Sequence, residues 1–296
     1  MKYNILVIGG SGFLGSHVAD ALTNDGQKVT VIDKEKSQWL DNKQLFFKAN
    51  IEKPESFLHL IKKSDYIFNF AAISDLGEAN KNPIKTVEVN ILGLVKLLEF
   101  CVKFKIKKYI HASTVYVSGD HGGFYKSSKL SAESFVKEYF KIKKLKYCIL
   151  RYGTLYGPRS DINNGLYKII TNALKKNKII YSGSKESIRD YIHVIDAARA
   201  SLKGILKEFE NKTIIISGPE SRKIKDILKI ISEITGIKKI QYVKKDDVKL
   251  HSHYLKTPYN VNNLTSAFSM KYSDNYQIDL GQGIKNLIQD LKNKKN

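Results

Sequence analysis

The chain is poor in the features that mark several classes of protein. It has two cysteines, Cys101 and Cys148, in 296 residues. Both sit in apolar surroundings without the spacing of a metal site, so no metal is expected. They read as buried free thiols of a reducing compartment, which makes a cytoplasmic protein the expectation. No apolar run reaches membrane-spanning length. Met1-Lys2 leads straight into an apolar run, without the basic, apolar, small-residue pattern of an export signal. No internal repeat or low-complexity linker is visible. Arginine is scarce too, with five among 50 basic residues.

That scarcity bears on the net charge of +21, set by 50 Lys+Arg against 29 Asp+Glu. Such an excess raises nucleic-acid or membrane-surface binding. The lysines, however, are scattered along helices and loops beside many Asn and Ile, as A/T-rich codon usage would leave them. Specific readers of nucleic acid lean on the planar fork of arginine. The excess is therefore read as compositional bias, with neither nucleic acid nor membrane expected as a partner. The runs Lys105-Ile106-Lys107-Lys108 and Lys141-Ile142-Lys143-Lys144 read as solvated helix ends, where lysine suits the negative end of the dipole.

What is present begins at the N-terminus. An apolar run, Tyr3 to Ile8, breaks into Gly9-Gly10-Ser11-Gly12-Phe13-Leu14-Gly15 and then a helix-like stretch to Asn24. A second apolar strand, Lys28 to Ile32, ends in Asp33, 21 residues past Gly12. Strand, glycine turn, helix, strand and acid follow in the order a dinucleotide site needs. Glycine lets the backbone turn tightly and approach a pyrophosphate. The helix start offers unpaired N–H groups and a positive dipole end. Asp33 can accept bonds from the adenosine ribose, and its charge repels the 2′-phosphate of NADP. NAD is therefore the expected cofactor, with Lys34 and Lys36 as the opposing feature.

Strands are expected at 3–8, 28–32, 66–70, 108–112 and 147–151, and helices at 13–24, 54–62, 83–104 and 124–142. With 42% hydrophobic residues, the chain can bury a large core. The alternation predicts an α/β fold, a parallel sheet wound on both sides by helices. Ligands bind at the carboxyl ends of such strands, where Asp33, Ala71-Ala72 and Ser113-Thr114 fall. After Arg159 the pattern loosens, with turn-rich segments at 160–165 and 181–187. A strand at Thr213 to Ser217, a helix at Lys223 to Thr235 capped by Gly236, and a last helix at Gly283 to Lys292 before a frayed lysine-asparagine tail are expected there. The division is drawn as a dinucleotide-binding domain at 1–159 and a mainly substrate-binding lobe at 160–296 that shares some elements with it.

Tyr125-Lys126-Ser127-Ser128-Lys129 puts a tyrosine and a lysine four apart on a predicted helix, on one face. An ammonium near a phenol favours the phenolate and lowers the tyrosine pKa from about 10. Such a phenol can take a proton from an alcohol whose carbon gives hydride to a nicotinamide. Thr114, at the end of the preceding strand, can hold that hydroxyl in line.

With these residues in view, the chain resembles the extended short-chain dehydrogenase/reductase superfamily, and within it the nucleotide-sugar epimerases and dehydratases. Further marks are Asn50-Ile51, Phe68-Asn69-Phe70-Ala71-Ala72, Asn90-x-x-Gly93, Arg151 through Arg159 and Arg189-Asp190-Tyr191-Ile192-His193-Val194. The resemblance implies a Rossmann-type doubly wound sheet with a smaller C-terminal lobe. It implies that Gly9, Gly12, Phe13, Leu14 and Gly15 line the pyrophosphate and that Asn50 and Ile51 flank the adenine. Ala71 and Ala72 would touch the cofactor's middle, Asn90 would support the site, and Lys129 would bond the nicotinamide ribose. Ser113, Thr154 and Arg189 would meet the substrate, Arg189 by clamping its diphosphate. His193 is read as a satisfied structural histidine. A homodimer through the helices at 83–104 and 124–142 is implied, with Val95, Leu98, Val102 and Phe135 as candidates for its face.

The chain also departs from the family. Only Val115 to Phe124 separate Thr114 from Tyr125, where the family has a longer loop. In 4,6-dehydratases an Asp-Glu pair follows the matching threonine; here Val115-Tyr116 follow, and dehydration lacks its acid and base. Asn is common where Thr154 stands. Where relatives carry a nucleotide-binding Arg and Asp, this chain has Lys256-Thr257-Pro258-Tyr259. The implied activity is NAD-dependent epimerisation at C4 of a nucleotide-diphosphate sugar. Net oxidation or reduction at that carbon uses the same residues, and a non-catalytic sensor or nucleic-acid binder is the rival from another class.

Overall fold

The computed structural model describes residues 2–119, 121–243, 269–271 and 277–293. Lys256-Thr257-Pro258-Tyr259 and the lysine-asparagine tail lie outside the described residues. The chain runs through β1 (Asn4–Ile8), α1 (Phe13–Asn24), β2 (Lys28–Asp33), β3 (Leu45–Lys48), a 3-10 turn (Pro54–Phe57), α2 (Leu58–Lys63) and β4 (Tyr66–Asn69). It continues with α3 (Leu76–Lys81), α4 (Pro83–Val87), a π turn (Glu88–Leu92), α5 (Gly93–Lys103), β5 (Lys108–Thr114), a 3-10 turn (Val115–Ser118), α6 (Gly123–Lys143) and β6 (Tyr147–Tyr152). The second half holds β7 (Thr154–Tyr156), α7 (Gly165–Lys176), β8 (Ile179–Ser182), β9 (Ile188–Arg189), β10 (Tyr191–His193) and α8 (Val194–Ser201). Then come β11 (Lys212–Ile216), β12 (Arg222–Lys223), α9 (Ile224–Thr235), β13 (Ile240–Val243), β14 (Ser269–Lys271) and α10 (Leu280–Asn293).

Eight strands form one sheet in the order β14-β11-β6-β5-β4-β1-β2-β3, and every neighbour is parallel. Strand order reverses between β1 and β4, which opens a crevice at their carboxyl ends. The two-residue period of the strands divides the core. Ile5 and Val7 turn to a cluster with Val18 and Leu22 of α1 and Ala197 and Ala198 of α8. Leu6 and Ile8 turn to the other face, against Ile61 of α2, Leu94, Leu97 and Leu98 of α5, and Ala132 and Val136 of α6. Burial on both faces explains why these strands read as unbroken apolar runs. A third cluster, built from α7, α9 and α10, fills the C-terminal lobe. The lobe is not independent of the sheet, since β11 and β14 extend it.

Several expectations change. The edge strand β3 has no sequence signal, because it is four residues long and its Leu45 is solvent-exposed. α3, α7 and α8 are further elements that the apolar pattern alone did not reveal. The 54–62 helix starts as a 3-10 turn, and β8 enters the segment read as turns at 181–187. The helix expected over 83–104 runs through to Lys103 but is widened at its middle by the π turn, flanked by Val87 and Gly93 in helical conformation. Gly93 follows that turn where a Cβ would lie 3.0 Å from the carbonyl oxygen of Ile51. Leu98 is fully buried against the sheet, so it leaves the candidate dimer face, whereas Phe135 stays exposed.

Candidate functional site

The glycine turn lies at the strand-order reversal. Gly9 has φ +76°, and a Cβ there would stand 2.4 Å from the backbone nitrogen of Ala71. The start of the turn is therefore pressed against the chain leaving β4. A Cβ on Gly15 would lie 2.1 Å from the carbonyl oxygen of Gly9, so the first turn of α1 packs on the loop. Gly12 differs: the nearest atom to its Cβ would be 3.4 Å away, and the protein itself does not demand glycine there. Gly12 caps α1 without a side-chain bond, and the first turn, which holds Phe13 and Leu14, carries no acid. Its N–H groups suit an anion that approaches the backbone closely. This arrangement fits the pyrophosphate of a dinucleotide.

Asp33, at the end of β2, accepts from the backbone N–H of Ser11 at 2.9 Å and of Lys34 at 2.7 Å. It ties the glycine turn to the second strand and stands where the adenosine ribose would lie. Asn50 bonds Glu52 in both directions, donating from Nδ2 at 2.6 Å and accepting from the Glu52 N–H at 3.1 Å. Ala49, just before that bend, bonds the end of β2, whereas Ile51 is buried in the core cluster with Leu94 of α5. The Ala71 N–H donates to Asn69 Oδ1 at 3.1 Å, and half-buried Ala72 follows. Asn90 leaves the π turn sideways: its Oδ1 accepts from the Ile73 N–H at 2.8 Å, and its Nδ2 donates to Ile73 O at 3.1 Å and to Ser128 Oγ at 2.9 Å. The π turn thus joins the loop after β4 to α6, one residue from Lys129. Such turns recur at functional sites.

Thr114 ends β5 and caps the following 3-10 turn through its hydroxyl, which accepts from the Tyr116 N–H at 3.3 Å. Its hydroxyl also acts on the phenol of Tyr125 near the start of α6, favouring the phenolate. Lys129, one helical turn on, is buried. Thr114 at the end of β5 acts on Tyr125, and Lys129 follows one turn later on α6, but the electrostatics differ from expectation. The Tyr125 phenol is pushed up, first by burial and then by the Tyr116 phenol, while the bond from Thr114 works downward. Lys129 is not among the charges acting on it. The lysine is itself pushed down to about 8 by burial, with the Glu133 carboxylate as the opposing influence. The lysine-lowered phenol is therefore not a property of the protein alone, because burial raises the phenol and no neighbouring cation acts against it.

Ser113 is placed elsewhere than expected. Strand alternation sends it to the α6 side with Tyr109, and its hydroxyl donates to Glu133 Oε1 at 2.6 Å. Glu133 also takes a bidentate fork from Arg151, Nε to Oε1 at 2.8 Å and Nη2 to Oε2 at 2.7 Å. Glu133 is a further residue of this site, and its signal in the sequence is the polar series 125, 129, 133 on one face of a core helix.

Arg189 is 5% exposed. Its Nη1 donates to Ile188 O at 2.7 Å, while its Nη2 is buried and has no hydrogen-bond partner. Among the described residues no carboxylate forms an ion pair with it. Its charge acts on the phenols of Tyr116, Tyr181 and Tyr191, and the Tyr181 hydroxyl is likewise buried without a partner. A buried guanidinium without a counter-ion is costly, and an incoming anion relieves that cost. Thr154 lies alongside in β7, opposite Tyr191 in register, and its N–H donates to Asp190 O at 3.0 Å. His193 is structural: it is buried, and its Nδ1 accepts from the Ile195 N–H at the start of α8. Among the described residues no group of three or more His, Cys, Asp and Glu side chains is placed to hold a metal. No described helix is long and apolar enough to cross a membrane.

Known proteins share the sequence and fold of this chain. Residues 5–216 match the model of the NAD dependent epimerase/dehydratase family. A putative UDP-glucose 4-epimerase of Methanocaldococcus jannaschii is 27% identical over 98% of both chains. The structure of UDP-glucose 4-epimerase from Thermotoga maritima, with UDP-glucose, superposes with a TM-score of 0.84 at 27% identity, covering 99% of this chain and 100% of that one. UDP-glucuronic acid 4-epimerase from Bacillus cereus, with UDP-glucuronic acid and NAD, gives a TM-score of 0.81 at 25% identity over 98% and 99% of the two chains. The chain belongs to the NAD dependent epimerase/dehydratase family, as an enzyme with NAD as its cofactor.

Proposed function

We propose that this member of the NAD dependent epimerase/dehydratase family inverts C4 of a nucleotide-diphosphate sugar by transient oxidation. The feature that supports the reading is the order of Thr114 at the carboxyl end of β5 and Tyr125 and Lys129 one turn apart on α6, together with a glycine turn at the strand-order reversal that leaves room for a pyrophosphate. Relatives that share this fold act on UDP-linked sugars.

When bound, NAD supplies a hydride acceptor that can return what it takes. The chain supplies the rest. Thr114 aligns the sugar O4 with Tyr125, which, as the phenolate that the positive charge of bound NAD would favour, takes the O4 proton and later gives it back. Lys129 donates to the nicotinamide ribose. Gly9, Gly12 and Gly15 with the start of α1 hold the pyrophosphate, Asp33 takes the adenosine ribose, and Asn50 and Ile51 border the adenine. Arg189 receives the substrate diphosphate, for which its fork is suited, with Thr154 beside it. The sugar turns over in its keto form, so the reaction closes without net redox. Val115 and Tyr116 provide no carboxylate pair for 4,6-dehydration.

The same reading assigns residues 1–159 mainly to the cofactor and 160–296 mainly to the substrate. It makes the enzyme a cytoplasmic homodimer, for which Leu92, Leu130 and Phe135 offer exposed apolar surface on the π turn and α6. The test is incubation with NAD and, separately, UDP-glucose, UDP-N-acetylglucosamine and UDP-glucuronic acid. C4 epimers should form with flat nicotinamide absorbance. Stoichiometric reduction of NAD would replace epimerisation with net dehydrogenation.

A further inference from the structure

Beneath the Tyr125–Lys129 pair lies a buried charge knot. Glu133 is 1% exposed, stands one turn after Lys129 on α6, and accepts three hydrogen bonds. Its partner Arg151 reaches over from β6 and also donates from Nη1 to Ser118 Oγ at 3.3 Å, in the turn that follows Thr114. One carboxylate thereby ties the end of β5, the turn beyond it, β6 and α6.

We infer that Glu133 is a positioning residue for Lys129: held away from the ammonium by Arg151 and Ser113, it acts on Lys129 through its field and leaves the ammonium hydrogens for the cofactor.

The geometry supports both halves of this statement. Residues four apart on a helix are neighbours, yet no Lys129–Glu133 ion pair closes within 4.0 Å among the described residues. The carboxylate cannot swing toward Lys129 without giving up bonds of 2.6–2.8 Å to Ser113 and Arg151. A second cation, Lys137, stands 3.7 Å from its Oε2 at the outer rim. The other charged or titratable groups facing Lys129 give it no negative charge. His111 on β5 is buried and disfavoured as a cation, partly by Lys129 itself. Tyr125 on α6 is held as the neutral phenol by burial. Arg151 lies beyond Glu133. Glu133 is thus the anion that opposes the loss of charge that burial imposes on Lys129.

The inference rests on Lys129 serving the cofactor, and the experiment separates the two claims. Calorimetric titration with NAD from pH 6 to 10 should show affinity falling as Lys129 deprotonates. Lys129→Met should remove that limb; if the limb persists, the reading of Lys129 fails. With the limb assigned to Lys129, Glu133→Gln should move its midpoint down by about one pH unit, a tenfold change in proton affinity. Glu133→Gln/Arg151→Met removes both buried charges and is the variant tolerated when the single change unfolds; its midpoint should also fall. Ser113→Ala keeps the carboxylate and should leave the midpoint in place. A folded Glu133→Gln or double variant with reduced NAD affinity but an unmoved midpoint would make the knot merely structural and overturn the inference.

Discussion

Gly15 approaches Gly9 so closely that a Cβ on it would stand 2.1 Å from the Gly9 carbonyl oxygen. Gly12, between them in sequence, has no such neighbour. The two glycines are therefore constrained by different things, one by the protein and one by its ligand. Gly15→Ala should cost about 1–3 kcal/mol or more through overpacking, seen as a lower melting temperature without NAD. Gly12→Ala should melt like the parent but bind NAD more weakly in calorimetry. Equal melting points for both variants, with equal NAD binding, would contradict this account.

Tyr125→Phe removes the proton acceptor and little else. Turnover should fall by about 10²–10⁴-fold, while NAD affinity, measured by fluorescence quenching, stays within a few-fold of the parent. Retention of full turnover would remove Tyr125 from the chemistry.

Arg189 is buried with an unpartnered Nη2, so its loss should act in opposite directions on stability and on substrate. Arg189→Met relieves an uncompensated charge, and the ligand-free protein should melt no lower than the parent. Affinity for UDP-glucose or UDP alone should drop about 10–100-fold, the worth of charge-assisted bonds of roughly 1.5–3 kcal/mol. A destabilised variant with unchanged UDP affinity would assign Arg189 to the core instead.

Three histidines are disfavoured as cations by burial: His17 and His111 are pushed down, and His193 is pushed down to about 4. Unfolded, each protonates near the ordinary value of about 6.5. Between these values the unfolded chain binds more protons, so stability is complete above pH 6.5 and declines as pH falls toward 4. His193 alone accounts for about 3 kcal/mol of that decline. Denaturant titrations at pH 7, 5.5 and 4.5 should show it, and His193→Asn, which keeps a cap acceptor, should flatten the curve. An unchanged slope in that variant would refute the assignment.

Much of the site was legible because each of its parts is local. The glycine turn, Asp33 and the Tyr125–Lys129 spacing are set by neighbours within one strand or one helical turn. Where function depends on what packs across, reading the chain failed. The family resemblance made Ser113 a substrate contact, yet alternation turns it to Glu133. The sequence could show Arg189 but not that its fork is buried without an acid. Asn90 read as part of one helix, but the sequence could not show that the helix widens into a π turn there, beside the close approach of Gly93 to Ile51, with the Asn90 amide bonded to Ile73 and Ser128.

The order of residues alone determined the parallel α/β layout, the dinucleotide turn and the pairing of a phenol with a lysine, because periodicity, glycine and helical spacing are short-range properties. Tertiary structure decided the charge state of that pair. Burial, not the adjacent lysine, governs the Tyr125 phenol, and a carboxylate clamped from another strand opposes the discharge of Lys129. Desolvation depends on everything that surrounds a group, and no stretch of sequence carries that by itself.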